Sequence, residues 1–561
     1  MRSYIKKLII LYVVLVIVKS VLSYFIPAPS LFSDGYVYAK MARSLLYHGN
    51  FFVHGSAINY YPPLYPLILS LAYAFKDMNI VYFFMKFINV IISSLVIFPA
   101  WLLGKEFLSK RKTFLFVLLV ALLPTNFSSS AYLLSENLFY PLFLFFIYFL
   151  YKSFTEEGYR FDILGGIFLG LCYLTKIVAV SLIPMIFFVF LFSLIKKDFK
   201  QVKKKLVLGL VAFLIVLPWF IRNWSIFGIP GVLPIEYLGE ARNLVTYTAN
   251  IGSFFTWIIF YLGLLALGLG VLFFIFSLRG WKSLLKDKQK IYFSLICLFS
   301  SIFVILLAVN HNLTFVKYQT LFDWITGRPI SRYMDFVLPL FILLGFIGLK
   351  DLDEKYFSWK STIFTSILLL LSSQLILFPL FSPNNISIGY LGASKYIFEY
   401  LFYGKTGFES IFNIGTLIFF SILFFSIPFL LKILKLNFKR AFYFFVIFFL
   451  LTSSFNYLTT YVNSDRYWYE GDQMQLGLWF NEYNKDPTAV ILFDERDSGP
   501  ISKLNQTNIG VGSTTLAGFW MNSEIIFGDL SDLTKVDYVY SKHDLDLELL
   551  REQGGFKIYK V

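Results

Sequence analysis

Charged residues stand at the ends of long apolar runs in this chain. Asp34 opens the segment DGYVYAKMARSLLYHG, and Glu136 lies in LLSENLFYPLF. The cations with the same placement are Lys176, Arg222, Arg328 and Arg332. Ionisable groups at membrane depth are costly, which makes each of them a candidate for function. A carboxylate among them could remove a proton from a hydroxyl group, and the guanidinium groups suit phosphate binding.

Asp34 has two explanations that its local sequence leaves open. Tyr38, Met41, Leu45 and Leu46 recur at helical spacing, which predicts an amphipathic helix at the membrane interface. In the first explanation, Asp34 simply caps that helix. In the second, it is a partly desolvated carboxylate that acts as a general base on an acceptor hydroxyl.

Glu136, Lys176 and a pair of arginines also have alternatives. Glu136 suits a helix start through the helix dipole, or it holds a divalent cation (Mg, Mn or Zn) together with Asp34. Lys176 could snorkel from a helix end to the interface. Arg328 and Arg332, in ITGRPISRY, suit phosphate groups, but such arginines also anchor helix ends to lipid headgroups.

The composition shows where these residues must be placed. Of the 561 residues, 58% are hydrophobic and 15% are charged, against about 25% charged in an average soluble protein. The net charge of +15 comes from short basic clusters between apolar runs, such as KEFLSKRK and KKDFKQVKKK. This pattern is typical of cytoplasmic loops. It indicates a polytopic membrane protein and argues against nucleic acid as a partner.

Assigning each apolar run to a helix predicts about thirteen transmembrane helices. The first run is long enough to span a bilayer and follows Arg2, Lys6 and Lys7, so we expect a retained helix and a cytoplasmic N-terminus. Aromatic, acidic and proline residues gather in the connections 26–79, 125–136, 222–253, 310–332 and 382–410. With a cytoplasmic N-terminus, odd-numbered helices run to the outer face of the membrane. These connections follow odd-numbered helices, so a site built from them should open to the outer face. The Lys-, Ile- and Asn-rich usage favours the plasma membrane of a prokaryote.

The composition changes near residue 461, where charges appear and apolar runs shrink to strand length. AVILFDE (489–495), KVDYVYS (535–541) and the final FKIYKV predict strands. DLDLELLREQGG predicts a helix capped by Asp544 and stopped by glycine. We therefore expect a transmembrane domain over 1–460 and a small extracytoplasmic α/β domain over 461–561.

Five fragments in one order resemble a known group of proteins. They are Asp34 with Tyr38 and Pro62-Pro63-Leu64, SENLFYPLF, GLCYLTKIVAVSLIP, LPWFIRNWSIFGIP and SRYMDFVLPL. Together they resemble the GT-C superfamily of polyprenyl-phosphate-sugar-dependent glycosyltransferases, and most closely its protein O-mannosyltransferase and lipid A aminoarabinose transferase group. The resemblance covers residues 1 to about 350. Two positions depart from it, because Gly35 stands where the family often has Glu, and Tyr61 where it often has Lys before the two prolines.

The resemblance implies an all-α GT-C fold whose first external loop carries interfacial helices. It also implies an inverting glycosyltransferase that moves a sugar from a dolichyl or undecaprenyl phosphate donor to the hydroxyl of a protein, lipid or glycan, among membrane lipids. Asp34 would be the base. Donor phosphate would contact Lys176, Arg332 and Arg328. The residues expected to line the substrate are Tyr38, Tyr60, Tyr61, His54 and Arg222.

Two other functions stay open. A multispanning transporter or flippase for lipids or lipid-linked sugars would carry charges along its whole translocation path, whereas this chain gathers them near one face. A non-catalytic homologue would bind glycolipids without transferring a sugar. Of the three functions, only the enzyme forms a covalent sugar-transfer product, so detecting that product distinguishes it from both alternatives.

Overall fold

The computed structural model describes residues 2–29, 33–232, 251–313, 327–349, 358–405, 413–434, 438–497, 513–531 and 533–561. The fold is mostly helical. Helices in the first part of the chain span Arg2–Tyr24, Ser33–His48, Leu64–Leu69, Met78–Ser94, Ile97–Gly104, Lys110–Leu122, Pro124–Phe127, Glu136–Thr155, Arg160–Thr175, Leu182–Ile195, Lys200–Phe227 and Ile229–Val232. Those in the second part span Ile251–Gly268, Leu272–Leu284, Ile291–Leu313, Leu338–Gly348, Trp359–Leu371, Gly389–Tyr403, Ile414–Ile433, Phe438–Val462, Asp472–Tyr483 and Ser513–Trp520.

The helical membrane fold is confirmed, with fewer full spans than expected. By length and composition, 9 helices of the described chain can cross a membrane, or 10 if the bent pair Lys110–Leu122 and Pro124–Ala131 forms one span. Arg160–Thr175 has 16 residues and Leu338–Gly348 has 11, both below the length of about 20 residues that a full span needs. The last residue of Arg160–Thr175 and the first residue of Leu338–Gly348 lie next to largely buried charged residues.

Small residues let one of the short helices pack closely on its neighbour. A Cβ atom at Gly166 would lie 2.5 Å from the carbonyl oxygen of Leu208, and one at Gly170 would lie 2.7 Å from Ile215 Cβ. The missing side chains therefore allow Arg160–Thr175 to approach Lys200–Phe227 backbone to backbone, as small residues do in membrane helix pairs.

The first loop contains a helix, a hairpin and a proline-led helix. We call Ser33–His48 the loop helix. Strands β1 (Phe52–Val53) and β2 (Ser56–Ala57) pair antiparallel, and the turn residues His54 and Gly55 have positive φ angles of 52° and 70°, as tight hairpin turns require. The predicted helix is confirmed, but it is not half exposed as an interfacial helix would be, because most of its residues up to Ser44 are buried.

The C-terminal part forms a five-stranded sheet. Its strands are β3 (Val490–Asp494), β4 (Glu524–Gly528), β5 (Tyr538–Ser541), β6 (Glu548–Gln553) and β7 (Phe556–Lys560), in the order β4-β3-β5-β7-β6. β3 pairs parallel with β4 and β5, and the other pairs are antiparallel. The three predicted strands correspond to β3, β5 and β7. The helix that precedes this part, Phe438–Val462, ends beside the expected domain boundary at 460, which stays a prediction.

The predicted helix in DLDLELLREQGG is wrong, because Glu548–Gln553 is a strand. Gly554 and Gly555 both have positive φ angles, 57° and 77°, so the chain turns back in two residues. Glu548 then pairs with Lys560, and Gln553 with Phe556. Pairing with the apolar β7 outweighs the local helical pattern, which is a tertiary effect that a short window of sequence does not contain.

The C-terminal domain covers the loop helix. Lys40 Nζ donates to the carbonyl oxygen of Met521 at 2.8 Å, and Arg43 donates to that of Pro487. Asn522 Nδ2 donates to the carbonyl oxygen of Lys76 at 2.9 Å. These contacts explain why the loop helix is buried, and they tie the element that begins with Asp34 to a domain far away in the sequence.

Trp520 packs the C-terminal domain against the helix Met78–Ser94, and its truncation should destabilise this contact. It is 1% exposed, and its ring lies 5.8 Å from that of Tyr82. We expect Trp520→Ala to lower the free energy of unfolding by about 3–5 kcal/mol, because large-to-small changes leave a cavity. Thermal unfolding in detergent measures this. Leu549→Ala, at a residue that is 48% exposed, is the control, and an equal loss in both variants would contradict the role of Trp520.

Candidate active site

Four of the predicted residues form one ion-pair cluster. Arg332 Nη2 donates to Asp34 Oδ2 at 3.0 Å, and Arg332 Nη1 lies 3.5 Å from Glu136 Oε1. Lys176 Nζ donates to the same Glu136 oxygen. The exposed fraction of the side chain falls from 24% for Asp34 to 14% for Lys176, 9% for Arg332 and 3% for Glu136. Two negative and two positive charges therefore compensate one another, and Asp34 is the most accessible of the four.

Each member of the cluster stands at a helix end. Asp34 lies in the first turn of the loop helix, and Glu136 begins Glu136–Thr155, where the helix dipole favours a negative charge. Lys176 follows Thr175, the last residue of its short helix, with an extended backbone. Arg332 lies in the turn Ser331–Tyr333. Because its four residues stand at helix ends, the cluster lies at one end of the helical bundle. The C-terminal domain covers this end.

Tyr61 completes the coordination of Asp34. Its hydroxyl donates to Asp34 Oδ1 at 2.8 Å. Burial and the negative charge of Asp34 raise the pKa of Tyr61, so the phenol keeps its proton and acts as a donor. For Arg332, burial lowers the pKa, but the charges of Asp34 and Glu136 raise it further than burial lowers it. Asp34 therefore accepts a hydrogen bond on each oxygen, one from a neutral group and one from a cation.

Two more predicted tyrosines lie beside this pair. The Tyr38 hydroxyl donates to Ser135 Oγ at 3.0 Å, and its ring meets that of Tyr61 edge-on, with centroids 5.2 Å apart. The Tyr60 ring lies 4.8 Å from the Tyr61 ring. The rings of Tyr38 and Tyr60 thus contact the Tyr61 ring, and we call these three rings the aromatic wall. Their contact with a substrate stays a prediction.

Arg222 and Arg328 make no ion pair with either carboxylate in the described structure. Arg222 Nη1 donates to the carbonyl oxygen of Ile58 at 2.6 Å, and its guanidinium lies 4.6 Å from the Trp219 ring. Arg222 therefore connects the helix Lys200–Phe227 to the first loop. Arg328 is half-buried, and its role at the donor phosphate stays a prediction.

His54 holds the hairpin against the C-terminal domain. Its Nε2 lies 2.8 Å from the Tyr36 hydroxyl, and its ring meets that of Phe527 edge-on at 4.6 Å. Burial, with a smaller contribution from the charge of Lys40, lowers the pKa of His54 to about 3. The histidine is therefore neutral over the physiological range, and its contacts are those of a packing residue.

The sequence reasoning missed His311 and Asp335. The His311 ring lies 5.1 Å from the Tyr333 ring, and the charges of Arg332, Arg328 and Asp34 act on its imidazole. Asp335 is 2% exposed and accepts a hydrogen bond from Ser331 Oγ at 3.4 Å. Both are ionisable residues at the ends of apolar runs, so the signal that selected Asp34 would also have found them.

The residues around Asp34 and Glu136 do not fit a divalent cation. Glu136 Oε1 faces both Lys176 and Arg332, so a metal ion there would meet two positive charges. Within the described ranges, no group of three or more His, Cys, Asp or Glu side chains is placed to hold a metal ion, whereas hard cations take about six oxygen ligands. The metal role of Glu136 stays a prediction.

Chelation tests that role directly. We expect EDTA treatment to leave the activity of the purified protein unchanged, because Lys176 and Arg332 already neutralise the two carboxylates. Activity that falls on chelation and returns when Mg²⁺, Mn²⁺ or Zn²⁺ is added back would restore Glu136 as a metal ligand.

Comparison with known proteins gives the fold and a family match over part of the chain. Residues 61–221 match the family model for dolichyl-phosphate-mannose-protein mannosyltransferase. The crystal structure of ArnT from Cupriavidus metallidurans bound to undecaprenyl phosphate superposes with a TM-score of 0.59 at 11% identity, covering 98% of this chain and 97% of that one. The chain has the GT-C fold. The apo form of the same ArnT gives a TM-score of 0.58 at 12% identity, over 99% and 98% of the two chains.

The GT-C resemblance predicted from the sequence is thus confirmed. Among curated proteins, no match to the sequence was found. The family match includes Glu136 and Lys176 and begins at Tyr61, while Asp34 and Arg332 lie outside it. The fold brings these last two residues to the matched segment, so the ion-pair cluster contains residues from inside and outside the family match.

Proposed function

We propose that the protein transfers a sugar from a polyprenyl phosphate donor to an acceptor hydroxyl at the outer face of the membrane. The observation that carries the proposal is an accessible carboxylate, Asp34, ion-paired to Arg332 and close to the buried Lys176–Glu136 pair. Support for the donor class comes from the ArnT structure, which is bound to undecaprenyl phosphate, and from the family model, whose description names dolichyl-phosphate-mannose.

The reaction is a single displacement. Asp34 accepts the proton of the acceptor hydroxyl as the acceptor oxygen bonds to the anomeric carbon of the sugar. The bond from that carbon to the phosphate oxygen breaks, and the phosphate leaves with the electron pair. Attack opposite the leaving group inverts the configuration at the anomeric carbon.

A phosphate leaving group needs positive charge more than it needs a proton. Arg332 and Lys176 supply two cations at the cluster, where low exposure to water strengthens their effect on developing charge. A guanidinium has five N–H donors, so Arg332 can contact a phosphate while it holds Asp34. Glu136 keeps both cations in place between turnovers.

The proposed orientation follows from the two ends of the bundle. The cluster and the C-terminal domain lie at one end of the bundle. The opposite end is rich in lysine, as at the starts of the helices Lys110–Leu122 and Lys200–Phe227. Positive-inside asymmetry supports a cytoplasmic location for the lysine-rich end. The N-terminus would then be cytoplasmic and the C-terminal domain extracytoplasmic, in a prokaryotic plasma membrane.

Supplying labelled donors tests the function. Purified protein in vesicles receives a panel of undecaprenyl- and dolichyl-phosphate sugars labelled in the sugar, with source membranes as acceptor. We expect label in a covalent product and release of polyprenyl phosphate. Movement of the intact donor across the vesicle membrane with no covalent product would instead support a transporter, and binding without either would support a non-catalytic homologue.

A further inference from the structure

The two oxygens of Asp34 are held by very different partners. Oδ2 accepts from Arg332, whose guanidinium is 9% exposed and also faces Glu136. Oδ1 accepts from the neutral Tyr61 hydroxyl at 2.8 Å. A general base must present an oxygen to the incoming hydroxyl, so the two partners decide which oxygen is used.

Arg332 is the partner that the cluster cannot release. Moving it away from Oδ2 would leave Asp34 without its cation and weaken the contact with the buried Glu136, and an uncompensated buried charge is strongly destabilising. Releasing Tyr61 costs one hydrogen bond, which an acceptor hydroxyl at the same oxygen would replace. The chemistry of the two partners therefore assigns Oδ1 to the acceptor.

The aromatic wall fixes the position of the Tyr61 hydroxyl. The Tyr38 ring contacts Tyr61 at 5.2 Å and Tyr65 at 5.0 Å, both edge-on. Pro62 and Pro63 follow directly and restrict the backbone of the residue before them. The backbone and the ring of Tyr61 are therefore both held in place, so the folded loop positions its hydroxyl to donate to Asp34 Oδ1.

We propose that Tyr61 is a positioning residue that orients Asp34. Its hydrogen bond to Oδ1 is replaced by one from the acceptor hydroxyl when the acceptor binds. This inference rests on the proposed function. The acceptor proton moves to Oδ1 while the acceptor oxygen bonds to the anomeric carbon, and the phosphate leaves with the electrons of the broken carbon–oxygen bond. Between turnovers, the Tyr61 hydroxyl donates to Oδ1 and holds the carboxylate in one orientation.

The test is the pH dependence of kcat/KM for a labelled undecaprenyl-phosphate sugar. Tyr61→Phe removes a hydrogen bond that favours the ionised carboxylate, so the acid limb of the profile should move to higher pH by about one unit. A measurable plateau should remain at high pH, because the Phe ring keeps the packing and leaves Oδ1 open while Arg332 still holds Oδ2. Tyr61→Lys places a cation beside the carboxylate and should move the acid limb to lower pH.

Tyr65→Phe is the matched control. The Tyr65 hydroxyl donates to Asn89 Oδ1 at 2.9 Å within the same group of rings, so its removal should leave the acid limb in place. The inference fails if the limb stays fixed in Tyr61→Phe, if Tyr65→Phe shifts it equally, or if Tyr61→Phe is inactive at every pH. Asp34→Asn separates the two claims: activity in that variant overturns the proposed function, whereas an inactive Asp34→Asn with an unmoved Tyr61→Phe overturns only the role of Tyr61.

Discussion

Replacing Asp34 with asparagine should lower kcat by roughly 10²–10⁴-fold, the range that a general base contributes. The amide has nearly the same shape and can still accept from Arg332, but it cannot take a proton from the acceptor hydroxyl. The Asp34 side chain is 24% exposed, so the loss of its charge should leave the fold intact. Transfer of label from a polyprenyl-phosphate sugar, measured alongside thermal unfolding, gives both quantities.

Asp77→Asn is the matched control for this experiment. Asp77 caps Met78–Ser94 through the backbone N–H of Asn79 at 2.9 Å and pairs with Lys485 at 3.2 Å. Asparagine caps helices as well as aspartate does, so transfer should continue at the unmodified rate. Full transfer by Asp34→Asn would remove this residue as the base. A similar loss in both variants would point to a general effect of removing a carboxylate from the first loop region.

The sequence could predict the cluster because charge at membrane boundaries is scarce. Residue type and position beside apolar runs select Asp34, Glu136, Lys176 and Arg332, and the structure links these four residues through three ion pairs: Asp34–Arg332, Arg332–Glu136 and Glu136–Lys176. The cost of an unpaired charge in a membrane explains this result, since such residues find partners among themselves.

The partners of each residue could not be predicted in the same way. Glu136 accepts a hydrogen bond from Lys176 and lies 3.5 Å from Arg332 Nη1, and these two residues are 40 and 196 positions away from it in the sequence. Tyr61 was expected to line the substrate, and its hydrogen bond to Asp34 depends on how the first loop folds back on the loop helix. Such pairings are set by tertiary packing, which local spacing does not specify.

The C-terminal domain shows the same limit at a larger scale. Three of its strands were readable from short apolar runs, but Glu548–Gln553 carries a pattern that suits a helix as well as an edge strand. The cover that the domain places on the loop helix depends on contacts such as Lys40 with Met521, more than 450 residues apart. A helix with one polar face was therefore assigned to the membrane interface, whereas its polar face meets protein.

Arg332→Gln should produce the other large loss, roughly 10²–10³-fold in kcat, because an electrostatic stabiliser of the leaving phosphate is removed. Stability should fall as well. Breaking a buried ion pair costs about 3–5 kcal/mol, and Asp34 would be left with Tyr61 as its described hydrogen-bond donor while Glu136 keeps Lys176. The variant should therefore unfold at a lower temperature than Asp34→Asn.

Arg332→Lys separates charge from bridging geometry. Lysine keeps one positive charge, but it lacks the planar fork with which Arg332 reaches Asp34 and Glu136 together. We expect this variant to recover part of the stability and less of the rate, since a single ammonium cannot hold both carboxylates and a phosphate. Steady-state kinetics with varied donor concentration shows whether the residual loss lies in kcat or in KM.

Lys290→Gln provides the comparison for both changes. Lys290 pairs with Asp287 at 3.3 Å, and the two side chains are 43% and 41% exposed. Exposed ion pairs of this kind contribute about 0–1 kcal/mol, so the removal of Lys290 should change neither transfer nor the unfolding temperature appreciably. If Arg332→Gln behaved like Lys290→Gln in both measurements, the cluster would be a surface ion pair without a part in transfer. A loss of stability with unchanged kcat would make Arg332 a structural bridge, and the positive charge for the phosphate would then have to come from Lys176.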